Sequence, residues 1–252
     1  MKVTVVGYYG GYPTADKASS AYVIEKDNYK IVLDMGSGAL LKLQKYINIM
    51  DIDAMILSHF HADHVADVGV LQHARLVQSY ITGDESILPI YAHQEDVEQF
   101  AALNHDYTEA KSYNPEETLK LGPFYIRFLK TKHSVACYGM RITDGDSSIV
   151  YTADSAFQKE WIPFCQHADL PLADTNFYAD MDGEDAGHMT SKEVGIIAKE
   201  AEVKEVILTH LPHFGQHQQL VEETKEVYDG KVTLAHEGLI WEDGKMSQSK
   251  VI

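Results

Sequence analysis

The sequence predicts an α/β (α+β) fold, and three observations predict it. Short apolar runs rich in β-branched residues alternate with longer segments of helical period. No proline- or serine-rich linker separates them, so residues 1–252 read as a single domain. The chain has 252 residues at 45% hydrophobic composition, enough for a substantial core, which excludes disorder and collagen-like repeats.

Strands are expected near residues 2–7, 21–26, 30–34, 54–58, 125–131, 138–143, 148–152, 206–209 and 239–241. The clearest helix is 191–201, where Val194, Ile197, Ala198 and Ala201 fall on one face, with Thr190 and Glu193 as a capping box before it. A second helix should begin just after His64, with Val65, Val68, Leu71 and Leu76 among its apolar positions. A third should span about 216–228 and stop before Gly230. The stretch IVLDMGSG followed by AMILSHFHADH is echoed by IVYTADSA followed by EVILTHLPHF. In each pair one apolar strand ends in a carboxylate and a later one in histidine, as two related halves would.

Charge narrows the partners. Lys plus Arg total 21 and Asp plus Glu 38, a net −17 that repels polyanions, and no Lys/Arg run offsets it. Without a signal-like apolar segment, a run of about 18 apolar residues, or more cysteines than Cys137 and Cys165, the expectation is a cytoplasmic protein with two free thiols and no membrane contact.

The strongest chemical signal is Ser58-His59-Phe60-His61-Ala62-Asp63-His64 at the end of an apolar strand. Alternation puts His59 and His61 on one side, able to share an ion, and a turn into helix would let Asp63 and His64 face a neighbouring one. Imidazole with carboxylate suits zinc, manganese or iron better than calcium or magnesium. One ion would leave ligands over. Three later strand ends carry suitable residues: His133, Asp154 and His210.

With these residues in hand, the chain resembles the metallo-β-lactamase superfamily, whose HxHxDH motif is matched by His59, His61, Asp63 and His64. The resemblance runs from Asp34-Met35-Gly36 to the closing AHEGLIW, and implies a four-layer αββα metallo-β-lactamase sandwich with a two-metal site. By that likeness His59, His61 and His133 hold one ion, Asp63, His64 and His210 the other, and Asp154 bridges them. The ions would be Zn2+, with Mn2+ the alternative.

Within the superfamily the chain is most similar to the RNase Z group of tRNA 3′-processing endonucleases and related phosphodiesterases. His133-Ser134 followed by Gly139 resembles that group's HS motif, Thr152-Ala153-Asp154-Ser155 its TGDT, and His188-Met189-Thr190 its HxT segment. Two departures weigh against tRNA. The elbow-gripping arm usually lies between the histidine and the bridging aspartate, and here these are 154 − 133 = 21 residues apart. The net charge of −17 is the other departure.

The resemblance implies hydrolysis of a phosphodiester, small or single-stranded, by a metal-bridging hydroxide. Asp63 would orient it and take its proton, and His188 would contact the phosphate or protonate the leaving oxygen. Asp34 is expected behind the site, orienting a ligand. Tyr8, Tyr9 and Tyr12, on a glycine-rich loop, could stack on a flat substrate group. His73, His93, His105, His167 and His217 read as surface or satisfied side chains away from strand ends; His213, three positions after His210, could reach the site rim, and His236 stands where relatives often carry aspartate. The alternatives are an RNase Z-type tRNA 3′-endoribonuclease whose dimer partner supplies a basic surface, a lactonase or thioesterase, and a non-catalytic metal-binding protein. A homodimer is the expectation by resemblance alone.

Overall fold

In a computed structural model, residues 1–249 are described, and they divide into two compact units, one from residues 1–114 with the segment from 236 onward, the other from 115–235. Each unit is built on one sheet.

The first unit holds strands β1 (Lys2–Gly7), β2 (Ala21–Lys26), β3 (Tyr29–Leu33), β4 (Ala54–Ile56), β5 (Leu88–Ala92), β6 (Thr108–Ser112), β14 (Leu239–Glu242) and β15 (Lys245–Gln248). Their order is β15-β14-β1-β2-β3-β4-β5-β6. β1, β2 and β3 run antiparallel, and β3 to β6 are parallel. Lys26 pairs with Tyr29 across Asp27 and Asn28, whose φ values of 52° and 64° suit a two-residue turn matched to strand twist. Val6, Val23, Val32, Met55 and Ile90 build the core with Leu43 of helix α1 (Ala39–Leu43) and Leu71 of α3 (Val68–Thr82).

The second unit holds β7 (Leu119–Leu121), β8 (Phe124–Lys130), β9 (Tyr138–Thr143), β10 (Ser148–Tyr151), β11 (Leu170–Asp174), β12 (Glu205–Thr209) and β13 (Lys231–Leu234), in the order β13-β12-β11-β10-β9-β8-β7. β7 to β10 are antiparallel and β10 to β13 parallel. Helix α6 (Ser191–Glu200) carries the expected capping box, Thr190 Oγ1 accepting from the Glu193 amide at 3.2 Å and the Glu193 carboxylate accepting from the Thr190 amide at 2.9 Å. Val194, Ile197 and Ala198 are buried, as periodicity required. The short helices α2 (Ala62–Val65), α4 (Val97–Ala102), α5 (Trp161–Cys165) and α7 (His217–Lys225) complete the set.

Several expectations are corrected. The strand over 54–58 stops at Ile56, because the Ser58 amide donates to the Asp34 carboxylate at 2.8 Å instead of to a neighbouring strand. The helix expected after His64 starts earlier, with His61 as its N-terminal cap, and is followed by a separate α3. On α3 the buried position goes to Arg75, whose guanidinium donates to the carbonyls of Ile49 and Ser86 at 2.9 Å each, while Leu76 is half-buried. Strands β5, β6, β7, β11, β13 and β15 were not expected; proline interrupts two of them, and β6 and β15 are largely polar edges.

The internal echo is also redrawn. It matched β4 with β12, but in sheet order the strand beside β10 is β11, as β4 is beside β3. Two residues past the last pairs Leu33↔Ile56 and Tyr151↔Leu172 stand Ser58 and Asp174. The Ser58 amide donates to Asp34 at 2.8 Å, and the Asp174 amide donates to Thr152 Oγ1 at 2.9 Å. The two units therefore share a device at the level of individual hydrogen bonds.

In the first unit Glu237 ties the stretch before β14 to the segment around α1. It accepts from Lys45 at 2.7 Å and lies 3.3 Å from Lys42. Burial opposes ionisation of Glu237, but the hydrogen bonds and charges of Lys45 and Lys42 outweigh it and hold its carboxyl below the ordinary 4.5. Its stabilisation is thus present above about pH 4.5 and lost as pH falls through the lower folded value. At pH 7 Glu237→Gln should cost about 1–2 kcal/mol, a fall of about 2–6 °C in thermal midpoint. Thermal denaturation from pH 7 to pH 3 should show the gap to wild type closing on acidification.

Candidate metal centre

In the first unit the candidate ligands stand around a strand end and the start of a helix. β3 ends at Leu33, and Asp34 after it turns through the left-handed region with φ 55° and buries its carboxylate completely. Oδ1 accepts from the Ser58 amide at 2.8 Å; Oδ2 accepts from Ser58 Oγ at 2.8 Å and lies 2.7 Å from His64 Nδ1. His59 Nδ1 is 3.0 Å from Ser58 Oγ. One buried carboxylate therefore fixes two histidines, His64 directly and His59 through Ser58, by their Nδ1 atoms. The His59 ring lies 4.8 Å from that of His61 and 4.2 Å from that of His64. Asp63 Oδ2 accepts from the Gly11 amide at 2.7 Å and stands 3.5 Å from His64 Nε2.

Gly36 makes this packing feasible. A Cβ there would fall 2.0 Å from the Asp63 carbonyl oxygen, which is backbone and cannot swing aside. Gly36→Ala should displace the motif, lowering the thermal midpoint by several degrees and metal affinity on the order of tenfold or more. Differential scanning calorimetry and a chelator competition read the two effects.

In the second unit the candidate ligands stand at three strand ends and beside a loop. Ala153, with φ 52°, turns the chain after β10 to present Asp154, and His210, with φ 53°, does the same after β12. His133 Nδ1 lies 3.0 Å from the Gly187 carbonyl, and the close approach leaves no room for a Cβ on Gly187, 2.6 Å from that nitrogen. His133 Nε2 faces Asp154 Oδ2 at 3.8 Å, and His210 Nε2 faces Asp154 Oδ1 at 3.3 Å. The two oxygens of Asp154 thus serve two different imidazoles.

Behind them lies Asp174, fully buried at the end of β11. Its Oδ2 is 2.8 Å from His188 Nδ1 and its Oδ1 is 3.4 Å from His210 Nδ1. Burial opposes a charge on either member of the Asp174–His188 pair. Their mutual attraction outweighs it, so the Asp174 carboxyl sits below its usual range and the His188 imidazole above its own. The His188 ring stacks on His210 at 5.0 Å and meets His133 edge-on at 5.3 Å. Atoms of Asp154, Asp174, His188 and His210 lie within 4.8 Å of one another.

The donor sets fit divalent metal. Two donors on a tetrahedral ion with bonds of about 2.0–2.1 Å are about 3.3 Å apart. The His–Asp separations of 3.3 and 3.5 Å are close to that spacing, and that of 3.8 Å is about half an ångström wider. In His64, His133 and His210 the Nδ1 is held by a carboxylate or carbonyl while Nε2 faces the candidate ligand aspartate. That arrangement sets tautomer and ring orientation.

Reading the sequence missed Asp174, Asn176 and Gly11. Asn176 donates to the His210 carbonyl at 2.8 Å. Asp174 has the same signal as Asp154, a carboxylate closing an apolar run, but Pro171 disguises the strand. Placing His93 away from strand ends was wrong: it follows β5, is 3% exposed, and meets Phe60 edge-on at 5.0 Å. His73, His105, His167, His213 and His236 are exposed, and His217 faces the Pro212 carbonyl at 2.7 Å. Tyr8 is buried against Tyr9 at 5.1 Å, leaving Tyr12 as the exposed ring at 60%.

A family described as "beta-lactamase superfamily domain" matches residues 30–211. The chain is 51% identical over 243 residues, covering 96% of it and all of the relative, to a protein of Bacillus subtilis strain 168 named probable metallo-hydrolase YhfI. The crystal structure of that metallo-β-lactamase fold protein aligns with a TM-score of 0.94 at 50% identity, over 95% of this chain and 98% of the other. A diphosphatase of the PhnP family aligns at TM-score 0.76 and 21% identity, covering 98% and 99%. Human tRNase Z, short form, aligns at 0.76 and 18%, covering 96% and 99%. These last two show likeness of fold alone. The chain belongs to the β-lactamase superfamily, has the metallo-β-lactamase fold, and carries the histidine and aspartate clusters of a metallo-hydrolase.

Proposed function

We propose that the chain is a dinuclear metal-dependent hydrolase that cleaves phosphodiesters. His59, His61 and His133 would hold one ion, Asp63, His64 and His210 the other, and Asp154 both, with Zn2+ the first choice and Mn2+ the second. The observation that carries the reading is Asp154, each of whose oxygens faces a different histidine, at 3.3 and 3.8 Å. A carboxylate in that position can serve two cations.

When bound, two cations lower the pKa of water and neutralise charge on phosphoryl oxygens. The protein's own residues supply the rest. Asp63, held by the Gly11 amide at 2.7 Å, orients the nucleophile and accepts its proton. His188, kept protonated on Nδ1 by Asp174 at 2.8 Å, presents its other nitrogen to the leaving oxygen and donates to it. An imidazole held toward its protonated form by Asp174 also suits an anionic ester better than a neutral lactone or thioester. The names diphosphatase and tRNase Z borne by two structural relatives point to phosphate chemistry too.

The test is hydrolysis by zinc- and manganese-loaded protein of bis(p-nitrophenyl) phosphate, a precursor tRNA with a 3′ trailer, a lactone and a thioester, with Asp63→Ala as blank and metal content measured on each sample. Diester turnover at two ions per chain is expected. A protein carrying two ions that hydrolyses only the lactone or thioester would overturn the reading, and cleavage at the trailer junction would identify a tRNA endonuclease.

A further inference from the structure

The sequence shows no basic run, yet the fold gathers one in the first unit. Lys17, Lys42 and Lys45 converge on Glu237 at 3.9, 3.3 and 2.7 Å, and Tyr46 donates its hydroxyl to the same carboxylate at 3.4 Å. Burial and Glu237 push the Tyr46 phenol up to about 12, so it stays a donor. In a chain with 21 basic against 38 acidic residues, three cations around one carboxylate reverse the general sign.

The arrangement is layered. The side chains of Glu237 and Lys42 are 11% and 15% exposed, whereas those of Lys17 and Lys45 are 41% and 38% exposed. Glu237 holds together ammonium groups that would otherwise repel, and its two oxygens cannot occupy all their N–H donors. What is left over is a fixed cluster of excess positive charge at the surface.

Its position ties it to the metal ligands. The loop carrying Lys17 closes at its base, where the Tyr8 and Tyr9 amides both donate to the Ala18 carbonyl at 3.0 and 3.2 Å. Within it, the Lys17 amide donates to Thr14 Oγ1 and the Thr14 amide to the Lys17 carbonyl, each at 3.0 Å. The same loop supplies the Gly11 amide that holds Asp63. Lys17 lies six positions after Gly11, so their α-carbons are at most about 22 Å apart.

We propose that Lys17, Lys42 and Lys45, assembled by Glu237, form an anion subsite that binds a second phosphate of the substrate, beyond the one cleaved. The proposal rests on the phosphodiester reading above and narrows it to substrates with at least two phosphates, such as short single-stranded oligonucleotides. It accounts for how a chain at −17 holds such a substrate: the attraction is local and lies on the loop that positions Asp63.

The test compares the p-nitrophenyl ester of thymidine 5′-phosphate carrying either a 3′-hydroxyl or a 3′-phosphate, using zinc-loaded full-length protein. The readout is the ratio of kcat/KM for the two substrates within each variant. Wild type should prefer the 3′-phosphorylated ester by about tenfold, and Lys17→Gln/Lys45→Gln should bring the ratio near one, since each charged contact is worth a few-fold. Lys17→Arg should retain the preference, and raising NaCl from about 0.05 to 0.5 M should shrink it. Calorimetric titration of thymidine 3′,5′-bisphosphate into wild type and the double variant reads the subsite even if neither ester is turned over, which separates its failure from that of the phosphodiester reading. Equal ratios or equal affinities in the two proteins overturn the subsite, as does a double variant that loses only thermal stability.

Discussion

Asp154→Ala is expected to yield a folded protein that retains at most one equivalent of tightly held metal and has lost diester hydrolysis. Asp154 is buried, and its oxygens stand 3.3 Å from His210 Nε2 and 3.8 Å from His133 Nε2. Removing it takes one donor from each proposed ion and the negative charge that lets two cations sit close. Charge stabilisation by metal is worth several kcal/mol in a transition state, so the rate should fall on the order of 10³-fold or more. Asp154→Asn keeps the shape and removes the charge, and should follow the alanine variant in metal content. Inductively coupled plasma analysis of dialysed protein, with rates on bis(p-nitrophenyl) phosphate, decides the matter. Two equivalents retained with a rate within tenfold would show that Asp154 is no bridge.

His188→Ala should behave differently. His188 is anchored to Asp174 at 2.8 Å and stacked on His210 at 5.0 Å, so it stands beside the donors without being needed to hold an ion. Metal content should be unchanged. General acid catalysis typically contributes 10²–10⁴-fold, and about that much should be lost from kcat for a diester with an alkoxide leaving group. With p-nitrophenolate, which leaves without a proton, the loss should be within about tenfold. A comparable loss on both esters would show that His188 binds phosphate and does not protonate the leaving oxygen. A lost ion would show it to be a ligand.

Much of the candidate site's placement was legible because local pattern and tertiary position coincide. Three histidines and an aspartate within six residues after an apolar strand leave few alternatives, and Asp154 and His210 close apolar runs that are indeed strands. Asp34 could be picked out for the same reason. What escaped depends on partners distant in sequence. Asp174 was hidden by a proline that a strand between two parallel neighbours tolerates, and His93 by the same feature in β5. The lysine cluster combines residues 17, 42 and 45 with residue 237, a juxtaposition no window along the chain can reveal. Polar edge strands lacked the apolar alternation that marks a buried face.

The left-handed turns at Asp34, Ala153 and His210 carry a consequence for how this protein can vary. A residue in that region cannot continue a ladder, so each turn ends its strand at a set place, and the reactive side chain comes at the turn or one residue beyond it. The positions of Asp34, Asp154 and His210 are therefore indexed to the ends of β3, β10 and β12. A one-residue slip inside any of those three strands would carry its terminal side chain to the opposite face of the sheet.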